Sequence, residues 1–293
     1  MQRNWMVGLG LCALSLLVVP ALAAVSVQDD AQRIVTLHAP ARRIVSLAPH
    51  ATELLFAAGA GNRIVGVTEF SDYPPQARHI PSVGSGLSLD LERILQSKPD
   101  LVVGWNNGAA AMQLARLEAL GIPVFRSEPY DFAAIALSLE RLAQLAGTEA
   151  TGQAAARAFR SRLMMLQSTY RQRRKVTVFY QIWRAPLMTL NGAHLVSKAL
   201  RLCGGENVFA GLLQLAPTVE VEAVLQANPE AIIATLGEQD DVLAIWRRFP
   251  GMQAVKRGNL LSFDANLLSR SGPRILDGTE ALCKQLDTVR NKP

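Results

Sequence analysis

Hydrophobic and polar positions along the chain follow one pattern twice. In Asp90-Leu-Glu-Arg-Ile-Leu-Gln-Ser-Lys-Pro-Asp100-Leu-Val-Val, apolar residues fall at helical spacing, a proline ends the helix, and an acid leads into an unbroken apolar run. The pattern returns as Glu220-Val-Glu-Ala-Val-Leu-Gln-Ala-Asn-Pro-Glu230-Ala-Ile-Ile, at a constant offset of 130 that carries Glu92 to Glu222 and Pro99 to Pro229. Each copy predicts an amphipathic helix of about two turns, a tight turn and a strand buried on both faces, as in a parallel sheet. Two such units imply two similar α/β lobes. Small molecules bind in clefts beside the carboxyl ends of strands, so the space between the lobes is the expected site.

The remaining pattern fills in the lobes. The first opens with a strand at Ile44-Val-Ser-Leu47, followed by a helix from Ala51 to Ala58 that Gly59 ends. A short strand, Arg63-Ile-Val-Gly-Val67, precedes Phe70-Ser-Asp-Tyr-Pro-Pro75, a loop that its prolines keep extended. Strands at Leu101 to Trp105 and Pro123-Val-Phe125 flank a helix through Met112 to Leu120, and this βαβαβ order predicts a parallel sheet. Ser138 to Gln172 is alanine-rich and proline-free, interrupted around Gly147 and Gly152. From Thr151 to Arg171 it predicts a helix about 30 Å long, which would join the lobes rigidly and resist hinge closure. The expected limits are 40–147 for the first lobe, 148–174 for the linker helix and 175–293 for the second lobe, opening at Val176-Thr-Val-Phe-Tyr180.

The start of the chain determines the compartment. Arg3, the apolar run from Met6 to Val19, Pro20 and the small-x-small site Ala21-Leu22-Ala23 predict a secretory signal peptide over residues 1–23. The run is too short for a comfortable membrane span, and no small residue precedes Cys12 as a lipoprotein anchor would need. After cleavage Cys203 and Cys283 remain as an even pair in an oxidising compartment, which predicts a disulfide. A hydrophobic content of 49% fits a globular chain. The net charge of +6 is diffuse, and its one dense cluster, Arg171-Gln-Arg-Arg-Lys175, reads as a solvated helix C-terminus. Without an aromatic-studded basic stripe, nucleic acid is not an expected partner.

Motifs for chemistry are sparse. The sequence has no Gly-x-x-x-x-Gly-Lys loop, no His-Glu-x-x-His pair and no Gly-x-Ser-x-Gly elbow. Its histidines, at 38, 50, 79 and 194, are not at metal-ligand spacing. The expectation is a binding protein, with neither catalytic residues nor a bound metal.

Several segments then resemble one family. Ile44-Val-Ser-Leu-Ala-Pro-His-Ala-Thr-Glu-Leu-Leu-Phe-Ala-Ala-Gly59, Ser71-Asp-Tyr-Pro-Pro-Gln-Ala77, Leu91-Glu-Arg-Ile94, Lys98-Pro-Asp-Leu-Val102 and Trp105 are similar to the cobalamin-binding periplasmic proteins of ABC importers. Leu202-Cys-Gly-Gly-Glu-Asn-Val-Phe209 and Ser269-Arg-Ser-Gly-Pro-Arg-Ile275 extend the resemblance over nearly the whole mature chain. It implies two Rossmann-like lobes with central parallel sheets joined by one long helix, a ligand cleft between them and little closure. The family's disulfide falls on Cys203 and Cys283, and its permease-docking glutamates fall on Glu92 and Glu222. Its cleft residues fall on Phe70, Trp105, Asn266 and Arg270, with Trp183 as a neighbouring aromatic. His50, at a helix start, would face the cleft mouth or stay solvated. The resemblance implies a monomeric periplasmic receptor that carries cobalamin as transported ligand, holds no cofactor of its own, and delivers to a permease dimer. A ferric siderophore or haem receptor stays open if several arginines or a tyrosine oxygen converge on the cleft. An exported hydrolase would need a nucleophile, base and orienting partner in hydrogen-bond reach.

Overall fold

The computed structural model describes residues 24–236 and 242–292, save 87 and 107. The expected signal peptide, residues 1–23, lies outside them. The described chain opens with an antiparallel hairpin of β1 (Val25–Gln28) and β2 (Ile34–Leu37). Its alternation of buried Val27, Val35 and Leu37 with more exposed neighbours is a half-buried strand pattern, in a segment for which the sequence predicts no element.

The first lobe comprises β3 (Ile44–Ser46), α1 (Pro49–Ala57), β4 (Ile64–Val67), α2 (Leu91–Gln96), β5 (Leu101–Trp105), α3 (Gly108–Ala119), β6 (Val124–Ser127) and α4 (Phe132–Ala146). Its strands pair in parallel in the order β4-β3-β5-β6. Two strands start one residue later than expected, because Arg63 closes a 3-10 turn and the extended ladder begins after Pro123. The reversal of strand order at β3 creates a crevice at the carboxyl ends.

The helix α5 (Glu149–Tyr170) follows, turned back against α4. Gly147 makes the reversal, with φ +60 at the C-cap of α4. The expected interruption at Gly152 does not occur. That residue sits inside α5 because a Cβ there would strike Ala143 and the Leu139 carbonyl, so glycine lets the two helices approach. Phe159, Leu166 and Tyr170 of α5 are buried in the core that spans both lobes. Charge ties the helix to both sides: Arg160 pairs with Glu140 of α4, and Arg162 with Asp277 and Glu280.

The second lobe comprises β7 (Val176–Gln181), α6 (Leu195–Leu202), β8 (Gly205–Asn207), α7 (Val221–Ala227), β9 (Ala231–Leu236), α8 (Gln253–Lys256), β10 (Leu260–Asp264), α9 (Ala265–Leu268) and α10 (Ile275–Arg290). Its parallel order β10-β9-β7-β8 is the topology of the first lobe again. Cys203, after α6, is bonded to Cys283 in α10 across 80 residues. The basic cluster after α5, residues 171–175, is exposed throughout, as a solvated helix C-terminus should be; within it Arg174 donates to Glu230 at 2.9 Å, and Arg173 lies 5.9 Å from the Tyr170 ring centre.

Candidate functional site

A cavity of about 380 Å³ lies between the lobes. Its lining segments follow the carboxyl ends of strands: His50 follows β3, Phe70 follows β4, Trp105 ends β5, Glu128 to Tyr130 follow β6, and Asn266 to Ser271 follow β10. The start of α6, with His194, and Leu215, beyond β8, complete the second lobe's wall. Of the expected residues, the cavity gathers His50, Phe70, Trp105, Asn266 and Arg270. Trp183, 62% exposed on the loop after β7, does not line it. Its indole N–H donates to the Ala185 carbonyl at 3.0 Å.

The first lobe supplies an aromatic wall. Phe70 is 77% exposed and Trp105 47%, an arrangement that leaves apolar faces uncovered at the cavity. Phe70 has φ +63, a left-handed backbone uncommon for a side chain of this size. His50 is 9% exposed and meets Trp105 edge-on, with ring centres 6.5 Å apart.

What holds Phe70 in that conformation comes from the other lobe. Arg270 donates through Nη2 to the Phe70 carbonyl at 3.1 Å and to Asn266 Oδ1 at 3.0 Å. Through Nη1 it donates to Asp72 at 2.7 Å and to Glu53 of α1 at 3.2 Å. Arg274 forks onto the same Glu53 carboxylate at 2.6 and 3.1 Å, and stacks 3.8 Å over the Tyr73 ring. Burial would raise Asp72, but the Arg270 hydrogen bond and charge hold it below its ordinary value. Glu53, Asp72, Arg270 and Arg274 therefore form an inter-lobe clasp around a carboxylate that is almost fully buried. Asp264, at the end of β10, is not among these partners; it accepts the Asn266 backbone N–H at 2.9 Å.

Two further lining groups were not singled out in the sequence. His194 is the N-cap of α6, its Nδ1 accepting the Val196 N–H at 3.1 Å. Glu128 has its carboxyl pushed up by burial and by the charge of Asp30. Asp30 itself is raised to about 6, chiefly by burial, while accepting the Glu128 backbone N–H at 2.8 Å. Neither has a local sequence signature, since a lone histidine or acid after an apolar run is common.

A hydrolytic arrangement is not assembled at this site. Ser127 Oγ lies 3.2 Å from His50 Nε2, but Ser127 is fully buried and no described carboxylate orients the imidazole. Glu92 and Glu222 stand in the first turns of α2 and α7, both exposed. Gln96 donates to Glu92 at 3.2 Å. Helices that return from a strand's carboxyl end start on the cleft side, so both glutamates are at that end of their lobes.

The chain is similar to known proteins over most of its length. A vitamin B12-binding protein of Vibrio parahaemolyticus is 34% identical over 254 residues, covering 86% of this chain and 92% of that one. One of Vibrio cholerae is 37% identical over 257 residues, covering 86% and 92%. The crystal structure of the periplasmic vitamin B12 binding protein of Vibrio cholerae superimposes with a TM-score of 0.79 at 36% identity, over 86% of this chain and 99% of that one. A periplasmic heme-binding protein from Roseiflexus shares the fold, with a TM-score of 0.74 at 24% identity over 85% and 98%. Residues 44–267 match the family model for periplasmic binding proteins, and with two parallel sheets, a long linking helix and an inter-lobe cavity, the chain belongs to that family.

Proposed function

We propose that this protein is the periplasmic receptor of an ABC importer, carrying cobalamin between its lobes and presenting it to an inner-membrane permease dimer. The observation that carries the reading is an inter-lobe cavity with exposed Phe70 and Trp105 on one side and Leu215 on the other, in a chain similar to B12-binding proteins over most of its length. A flat, partly apolar macrocycle would bury its face against those walls, at about 25 cal/mol per Å² of apolar surface removed from water. The clasp and the packed helix α5 favour small rotations over wide hinge closure, so the receptor would act as a preformed monomeric cradle. Export through the expected signal peptide would place it in the periplasm.

Glu92 and Glu222 are proposed as the docking charges. They project from equivalent helices of pseudo-symmetric lobes, and a permease dimer has two-fold symmetry with which to receive them. Arginines on the permease would make charge-assisted pairs with these carboxylates.

Haem is the second reading, favoured by Tyr130, whose exposed ring at the cavity rim could offer a phenol oxygen to iron. The test is absorbance after gel filtration of the protein mixed separately with cyanocobalamin, haem and a ferric siderophore. Cyanocobalamin should co-elute with the protein. Retention of haem or the siderophore without cyanocobalamin would overturn the main reading.

A further inference from the structure

The cavity contains two imidazoles that the clasp does not use, and they occupy equivalent places. His50 stands in the first turn of α1, the helix after the first strand of one sheet; His194 caps α6, the helix after the first strand of the other. Their hydrogen bonds give them opposite polarity. His50 Nε2 faces the Ser127 carbonyl at 3.3 Å, and a carbonyl oxygen only accepts, so Nε2 carries the hydrogen and Nδ1 the lone pair. His194 Nδ1 accepts a backbone N–H, so its ring carries the hydrogen on Nε2. Burial keeps both rings neutral, lowering each to about 4, with help from Arg270 at His50 and Lys198 at His194. Among the described residues, neither His50 Nδ1 nor His194 Nε2 has a partner.

The charges around the cavity point the same way. Arg270 and Glu128 are its charged lining residues. Arg270 spends its guanidinium on Glu53, Asp72, Asn266 and the Phe70 carbonyl. Lys198, behind the rim, donates to the Tyr130 carbonyl at 2.8 Å and lies 5.3 Å from its ring centre, so among the described lining residues the acid has no uncommitted cation to offset it. A ligand rimmed with carboxylates would meet Glu128 unpaired, whereas neutral carboxamides would not.

We infer that His50 and His194 read carboxamides on the rim of the ligand, one imidazole accepting an amide N–H and the other donating to an amide oxygen, so that the cavity selects an amidated macrocycle over a carboxylated one. The inference rests on the corrinoid-receptor reading and adds its selectivity. A site built to pair with a given polar group rejects the analogue that leaves its own groups unpaired.

The test compares dicyanocobinamide with dicyanocobyrinic acid. Both lack the nucleotide arm and share the corrin ring, but their rims carry carboxamides and carboxylates respectively. By calorimetry the wild-type protein should bind cobinamide at least about tenfold more tightly, about what one well-made polar pairing contributes. His194→Ser keeps a hydroxyl to cap Val196 while removing the cavity donor, and His50→Phe keeps the ring while removing the acceptor. Each should lower the cobinamide-to-cobyrinic acid ratio about threefold or more by weakening cobinamide alone. Glu128→Gln should raise affinity for cobyrinic acid and so lower the cobinamide-to-cobyrinic acid ratio. Equal wild-type affinities, or an unchanged ratio in both folded single variants, would overturn the selectivity while leaving the receptor reading intact. Binding of neither corrinoid would overturn the receptor reading and the inference with it.

Discussion

The two lobes are copies in their scaffold and opposites in their walls. Both sheets have the same strand order, and both repeats turn on a residue of positive φ just before the proline, Lys98 at +47 and Asn228 at +42. In each, the acid after that proline reaches the start of the lobe's first strand: Asp100 accepts the Arg42 and Arg43 N–H groups, and Glu230 accepts that of Thr177. The strand ends at the cleft differ. Trp105 closes β5, and the residue 130 positions later, Thr235 in β9, offers no ring. Positions that satisfy the backbone are thus alike in both copies, whereas the strand ends at Trp105 and Thr235 are not. A shared scaffold can carry an asymmetric pocket because the two sets of residues do not overlap.

The largest expected effect tests whether the symmetry extends to the permease. Glu92→Lys combined with Glu222→Lys should abolish uptake in cells while ligand affinity stays within about twofold, because rim charges set docking more than cleft binding. Each single change should give a partial loss. Full uptake by the double variant, or uptake lost through one glutamate alone, would break the comparison.

How far the sequence could be read follows from the same division. The repeat was legible because doubly buried parallel strands are continuous apolar runs, and such runs are visible without partners. The long helix and the cysteine pair had local or compositional signals. The clasp did not: Glu53 and Arg270 lie 217 residues apart, and nothing near either one names the other. His194 was hidden for a related reason, since its role depends on which loop faces the cavity. The β1–β2 hairpin has the right alternation, but its strands are only four residues long.

Next in size is the disulfide, present in the second lobe alone. Closing an 80-residue loop contributes about 4.5 kcal/mol in the chain-entropy account. Cys203→Ala with Cys283→Ala should therefore expose α6 and α10 to hydrogen exchange at lower denaturant than the first sheet. Equal loss of protection in both lobes would show that they unfold as one unit.

Acid should separate the lobes as well. His50 and His194 have folded values of about 4 against 6.5, so the unfolded chain binds more protons and their stability is lost as pH falls from 6.5 towards 4, on the order of 3 kcal/mol per group. Asp30, raised to about 6, works in the other direction: the folded chain holds its proton longer, and its cost is relieved as pH falls through the same range. Asp30 belongs to the first lobe's side only. Hydrogen exchange should show the second lobe losing protection more steeply between pH 6.5 and 4, and Asp30→Asn should narrow the difference, leaving the part that burial of Glu128 supplies.

The walls are compared by Trp105→Ala and Thr235→Ala. Loss of the indole should weaken cobalamin binding by about 1 to 3 kcal/mol, as expected for burying an aromatic face. The threonine change should fall within roughly 0.5 kcal/mol, as for an ordinary surface substitution. If calorimetry gives equal effects, the aromatic side of the cavity is not the side that carries the ligand.

The smallest effect concerns the acid that both repeats use. Asp100 accepts the Arg42 and Arg43 N–H groups at 2.8 and 2.9 Å and donates its own N–H to the Arg43 carbonyl. Glu230 accepts the Thr177 N–H at 3.2 Å, and its own N–H donates to the Thr177 hydroxyl at 3.0 Å. Glu230 also pairs with Arg174 and Arg257, but both guanidiniums are solvent-exposed, and such pairs contribute little. If backbone capture is the shared device, Asp100→Asn and Glu230→Gln should each cost about 1 kcal/mol in denaturant unfolding, the net worth of a hydrogen bond. The extra arginines should then make no visible difference. A Glu230→Gln loss several times that of Asp100→Asn would mean the second copy depends on its ion pairs, and that the two turns are alike in shape but stabilised differently.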